Sequence, residues 1–99
     1  MFKRTKAIND AMFALSDVNR RRILKMLRDK PLTAGQISSR FPLLSRPSMS
    51  HHFSVLKEAN LIDSEKVGQN VIYTINTTVF YDILSGLLRV YGEENETKS

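Results

Sequence analysis

The 99-residue sequence contains no cysteine. That absence removes disulfides, thiolate metal sites and cysteine redox sensing together, and makes a cytoplasmic protein the expectation. Long apolar runs are missing as well. The opening residues, MFKRTKAINDAMFAL, do not read as a signal peptide, because Asn9 and Asp10 interrupt any apolar core. VFYDILSGLLRVY, residues 79–91, is apolar but too short to span a bilayer, and it carries Asp82 and Arg89. Negative charge is scarce through more than half of the chain. Residues 1–57 hold twelve Lys or Arg against only Asp10, Asp17 and Asp29. A basic body of this kind points to a polyanionic partner, most simply nucleic acid. Catalytic signatures are also lacking: no phosphate-binding glycine loop, no nucleophile with an oriented base and no paired carboxylates. The chain supports one modest core, too small for an enclosed substrate pocket without a partner chain, and no enzyme is expected.

What is present is periodic. Ile8, Ala11, Met12 and Leu15 recur on one side of a helix over residues 6–15. Asp17 is an N-cap for a second helix in which Ile23, Leu24 and Leu27 form the buried stripe, ended by Pro31. Thr33 followed by Gln36 has capping-box spacing and predicts a short helix over 34–41, which Pro42 cannot continue. Ser45 then caps a further helix; Pro47 is tolerated in its first turn, where no intrahelical donor is needed. Met49, Phe53 and Leu56 make its buried stripe, flanked by His52 and Val55. After Asn60 the composition becomes strand-like: LIDSEKV and VIYTI, separated by GQN, predict a β-hairpin turning near Gly68 to Asn70. A last helix starts near Asn76 to Thr78. No internal repeat or interdomain linker is visible, so residues 1–91 are expected to form one domain. Residues 92–99, GEENETKS, are expected to be a disordered polar tail.

The order is helix, helix, short helix, tight turn, polar-faced helix, hairpin, helix. That is the layout of a winged helix-turn-helix, mainly α with a small β-hairpin wing (α+β). In such an arrangement the second helix of the pair enters the DNA major groove with its N-terminal half at the base edges. The segment SRPSMSHHFSVLKEANLI carries that helix. Arg46, Pro47, Ser48, Ser50 and His51 are its expected base readers, with Arg46 able to fork onto a guanine edge. Arg20, Arg21, Thr33, Ser45, Ser54 and Lys57 are expected at the DNA backbone. Lys66, Gly68, Gln69 and Asn70 form the expected wing tip.

Each feature also has a plainer reading. Arg20 to Arg22 alone reads more readily as a solvated helix face, and His52, beside an apolar stripe, as a packed histidine with a bonded ring. Pro47 and Ser48 can simply shape a helix start. It is the ordered combination that favours DNA. The last helix is apolar around more than one face, which predicts dimerisation through the terminal helices. Ile8, Met12, Phe80, Ile83, Leu84, Leu87 and Tyr91 are the expected interface. A homodimer would then read a two-fold symmetric operator as a sequence-specific double-stranded DNA-binding repressor. The alternative is a winged-helix protein-interaction module that has lost DNA binding.

Three stretches, ALSDVNRRRILKMLRDKPLTAGQIS, SRPSMSHHFSVLKEANLI and VGQNVIYTIN, together resemble the ArsR/SmtB family of winged-helix repressors over roughly residues 12–76. The subgroup most similar is that of SdpR-type autorepressors, which lack the family's metal sites. The resemblance implies a homodimer that blocks transcription from operator DNA, and by subgroup a membrane protein that sequesters it. Val18-Asn19 stands where the family often has Pro-Thr, and FPLLS is one residue longer than the usual turn. The family's paired thiolates would fall at Thr33 and Gly35, neither of which is a ligand, and no histidine follows His52. His51 and His52, adjacent on a helix, diverge by about 100°. No metal and no cofactor is expected.

Overall fold

The computed structural model describes the backbone from Phe2 to Lys98 and the side chains from Lys6 to Arg89. Five helices and three strands follow one another: α1 (Phe2–Leu15), α2 (Val18–Leu27), β1 (Leu32–Thr33), α3 (Ala34–Ser38), α4 (Arg46–Glu58), β2 (Ile62–Val67), β3 (Asn70–Ile75) and α5 (Thr77–Lys98). The architecture is a winged helix-turn-helix, as expected from the sequence.

Local chemistry starts the four helices that follow α1. The Asp17 carboxylate accepts hydrogen bonds from the backbone N–H groups of Asn19 (2.7 Å) and Arg20 (3.2 Å), which caps α2. Thr33 and Gln36 close a full capping box on α3: Gln36 N–H donates to Thr33 Oγ1 at 3.1 Å, and Thr33 N–H donates to Gln36 Oε1 at 2.8 Å. Ser45 Oγ accepts from Ser48 N–H at 3.2 Å at the head of α4. Asn76 Oδ1 accepts from Val79 N–H at 3.2 Å and starts α5.

α4 ends just as definitely. Asn60 N–H bonds the Lys57 carbonyl (2.9 Å), and the left-handed backbone of Asn60 (φ 60°) lets Leu61 N–H reach back to the Leu56 carbonyl (3.0 Å). Leu61 is thereby turned into the core, where it is fully buried with Ile23, Ile37 and Leu56. Met49 and Phe53 complete the inward face of α4, as their spacing predicted.

The sheet order is β1-β3-β2, with both pairings antiparallel. Ile62 pairs with Ile75 at the base of the hairpin and Val67 with Asn70 at its tip, leaving Gly68 and Gln69 as the loop. Gly68 has φ 61°, a conformation that glycine takes in a two-residue hairpin loop without the cost a Cβ brings. The ring of Tyr73 in β3 stacks on Phe53 of α4, with centroids 4.4 Å apart and planes 19° apart. The wing is therefore docked directly on the helix beside it.

Three boundaries differ from expectation. β1 was not foreseen: it is two residues long, too short for alternation to show, and exists only by pairing Leu32 with Tyr73 and Thr33 with Ile72. α3 stops at Ser38 and not near residue 41, because the chain tightens into turns in which Arg40 and Phe41 N–H groups bond the Ile37 and Ser38 carbonyls. Phe41 is thereby tucked into the core. α5 runs helical to Lys98, through most of the segment expected to be a tail; Glu93, Glu94, Glu96 and Lys98 are all good helix formers, and no proline intervenes.

α1 and α5 lie in contact and flank a groove that Ile8 and Ile83 help to line. Of the expected interface residues, Met12 and Leu84 are exposed, while Ile8, Phe80, Ile83 and Leu87 are half-buried. Phe80 and Ile83 pack partly against this chain's own core. Tyr91 lies outside the described side chains.

Candidate nucleic-acid interface

α4 presents two unlike faces. Met49, His52, Phe53 and Leu56 face inward, while Arg46, Pro47, Ser50, His51, Ser54 and Lys57 are exposed. Ser48 is half-buried, and its hydroxyl accepts a hydrogen bond from the Ser45 hydroxyl at 3.0 Å. Ser45 and Thr33 therefore act first as helix caps, and what they offer a phosphate is limited to the remaining valence of their oxygens. Lys66, Gly68, Gln69 and Asn70 are all exposed at the tip of the wing. A helix of 13 residues is about 20 Å long, so the first two turns of α4 can enter a major groove while its C-terminal end stays anchored.

The arginine run of α2 divides. Arg20 is 5% exposed, and all of its guanidinium nitrogens are occupied within the protein. Nε donates to the Ala14 carbonyl at 2.8 Å, one terminal nitrogen to the Phe13 carbonyl at 3.0 Å, and the other meets His52 Nδ1 at 3.2 Å. This corrects the expectation that Arg20 contacts a phosphate. The run RRR does not reveal which member points inward; that depends on the helix rotation set by Ile23, Leu24 and Leu27. Arg21 is exposed and donates to the Leu15 carbonyl at 2.7 Å, which holds it at the end of α1 with its outer edge free. Arg22 lies over the Phe41 ring, 4.3 Å from its centroid, and donates to the Arg40 carbonyl at 3.4 Å. Arg22 and Arg40 thus bring two exposed cations beside the helix-turn-helix turn. Neither was assigned a role from the sequence, because only the fold brings residue 22 against residue 41.

Among the described residues the ion pairs are Lys6–Asp10 (2.7 Å) and Arg28–Asp29 (3.4 Å). Neither involves the cations of α4, the turn or the wing. His52, in contrast to its exposed neighbour His51, is buried, as a packed and bonded histidine should be. Burial holds its imidazole below the ordinary histidine range; Asp17 opposes that shift, and the charges of Arg20 and His51 reinforce it. For Asp17, burial works to raise the carboxyl, but the N–H groups of Arg20 and Asn19 and the nearby His52 and Arg20 charges together hold it below the usual value.

Among the described residues no group of three or more His, Cys, Asp or Glu side chains is placed to hold a metal ion. No helix among them is long and apolar enough to cross a membrane.

A family model described as a helix-turn-helix domain matches residues 15–65, which span α2 through the first half of the wing. The transcriptional repressor SdpR of Bacillus subtilis is 41% identical over 81 residues, covering 82% of this chain and 89% of that protein. The transcriptional activator HlyU of Vibrio cholerae is 34% identical over 83 residues, covering 84% of this chain and 76% of its own. Among solved structures, an ArsR-like transcriptional regulator from Rhodococcus superposes with a TM-score of 0.83 at 26% identity, covering 94% of this chain and 87% of that one. The polar outer face of α4, the docked wing and these likenesses together establish that the chain belongs to the ArsR/SmtB family of winged helix-turn-helix transcriptional regulators, closely related to its SdpR-type repressors.

Proposed function

We propose that this DNA-binding regulator is a homodimeric repressor of its own operon, acting in the cytoplasm on a two-fold symmetric operator. The observation that carries this reading is the outer face of α4: Arg46, Ser50 and His51 project from a helix whose other side is locked into the core by Met49, Phe53 and Leu56. A rigid helix with free hydrogen-bonding groups in its first turns is what sequence-specific readout of the major groove requires. Arg46 forks onto a guanine, Ser48, Ser50 and His51 complete the base contacts beside Pro47, and Ser54 and Lys57 follow the phosphates. Arg21, Thr33 and Ser45 hold the backbone on one flank, and Lys66, Gln69 and Asn70 on the other, with Gly68 shaping the wing tip.

Repression is favoured over activation because the relative of 41% identity is named a repressor and that of 34% an activator. The family and fold are those of a transcription factor and not of an enzyme. Dimerisation uses α1 and α5, where Met12, Leu84 and Leu88 remain exposed beside half-buried Ile8, Phe80, Ile83 and Leu87. Release from DNA through a sequestering membrane protein follows from the SdpR-type resemblance alone. The test is fluorescence anisotropy with a duplex from the region upstream of the gene and a scrambled duplex, across a salt series. Preferential binding of the upstream duplex is expected; equal affinity for both would remove operator recognition.

A further inference from the structure

Besides the packing of Met49, Phe53 and Leu56, a buried guanidinium ties α4 to the body of the protein. Two of the Arg20 nitrogens satisfy the carbonyls of Phe13 and Ala14 at the C-terminal end of α1, at 3.0 and 2.8 Å. Carbonyls in a last helical turn lack i+4 partners; that of Phe13 also accepts from the Ser16 N–H (3.2 Å) and hydroxyl (2.6 Å), and a cation there is favoured by the helix dipole. The Phe13 ring lies alongside, 5.1 Å from the guanidinium carbon. The remaining nitrogen points at His52 Nδ1, 3.2 Å away on α4. Arg20 therefore spans α1, which carries part of the proposed dimer face, and the helix that carries the base readers.

The chemistry of this contact depends on one proton. A guanidinium only donates, so Nδ1 of His52 must accept and the ring's own proton belongs on Nε2. A second proton would turn Nδ1 into a donor facing a donor and set cation against cation. The charged and titratable groups around the ring are Arg20 on α2, Asp17 at its cap and His51 on α4. Asp17 is occupied as the cap of α2, accepting from two backbone N–H groups. α1 contributes backbone carbonyls to this cluster.

We propose that Arg20 is a positioning residue that fixes the recognition helix against α1 through His52, and that protonation of His52 releases this link and weakens operator binding. The inference rests on the reading of α4 as the operator-binding element. It differs from a purely structural role because it predicts loss of DNA affinity in a protein that is still folded.

The test compares wild type with His52→Asn, whose side-chain oxygen falls near the position of Nδ1 and accepts from Arg20 but does not titrate. Anisotropy with the upstream duplex is measured from pH 7.5 to 5.5 at matched ionic strength. Both proteins keep His51, so the ratio of their dissociation constants isolates His52. That ratio is expected to rise about tenfold as pH falls, within the limit for one linked proton per subunit. A constant ratio would overturn the inference, as would loss of the helical circular dichroism of wild type by pH 5.5. A DNA-free arm uses long-range proton–nitrogen NMR, where an Nε2–H tautomer is expected, with the amides of Phe13, Ala14 and Leu15 shifting as His52 titrates. An Nδ1–H tautomer would overturn the link. Wild type that binds upstream and scrambled duplexes alike at pH 7.5 would instead overturn the operator reading, with the NMR result still deciding the link.

Discussion

His52 and Asn60 show how much of this fold turns on single residues. Burial lowers the His52 imidazole below its ordinary 6.5, so the unfolded chain takes up a proton at a higher pH than the folded one does. The stability this contributes is complete above the unfolded value and is lost as pH falls through the folded one. The melting temperature is therefore expected to drop as pH is lowered below about 6.5, and His52→Asn should flatten that dependence in thermal melts followed by circular dichroism. Identical pH profiles for the two proteins would contradict the assignment of a neutral buried ring. At Asn60 the left-handed backbone, φ 60°, is needed for the hydrogen bond from Leu61 N–H to the Leu56 carbonyl that ends α4. Asn60→Val should destabilise the protein by about 1–2 kcal/mol in urea titrations, the cost of a left-handed β-branched residue, while Asn60→Gly should leave stability nearly unchanged. Equal stability of all three proteins would show that the turn relaxes.

Among the elements, the proposed operator contact divides DNA binding between α4, for specificity, and α2, for general attraction. Arg46 stands in the first turn of α4 and Arg21 on the neighbouring flank, and both are exposed. Arg46→Ala should relax preference at one base pair by about 1–3 kcal/mol, and Arg21→Ala should weaken all duplexes alike and reduce the salt slope by about one. Competition against single-base operator variants separates the two; uniform weakening by Arg46→Ala would remove it from base readout. Much of α4 was legible in advance because its determinants are local: Ser45 at the cap, Pro47 in the first turn, and Met49, Phe53 and Leu56 at helical spacing. The wing was legible for the same reason, through its strand-like composition and Gly68. What could not be read depends on contacts between distant residues. β1 exists only opposite Tyr73 and Ile72, Arg22 finds Phe41 across the core, and Arg20 was mistaken for a surface cation because its partners lie on α1 and α4. The exposed polar face of α4 was thus legible in the sequence, and the buried arginine behind it was not.

For the whole molecule, a net charge of +5 and a basic first half give a general attraction to DNA, and such attraction alone gives no choice of sequence. In the proposed dimer, choice comes from two α4 helices that α1 and α5 would hold at a fixed separation, the arrangement that ties half-site spacing to protein symmetry. Operator recognition by such a dimer is therefore a matter of geometry on DNA, and footprinting on the region upstream of the protein's own gene reads that geometry. Two protected half-sites are expected, related by two-fold symmetry with centres about one helical turn, roughly 34 Å, apart. Protection spread evenly along the duplex, or none at low salt, would contradict operator recognition and favour a winged helix that binds another protein.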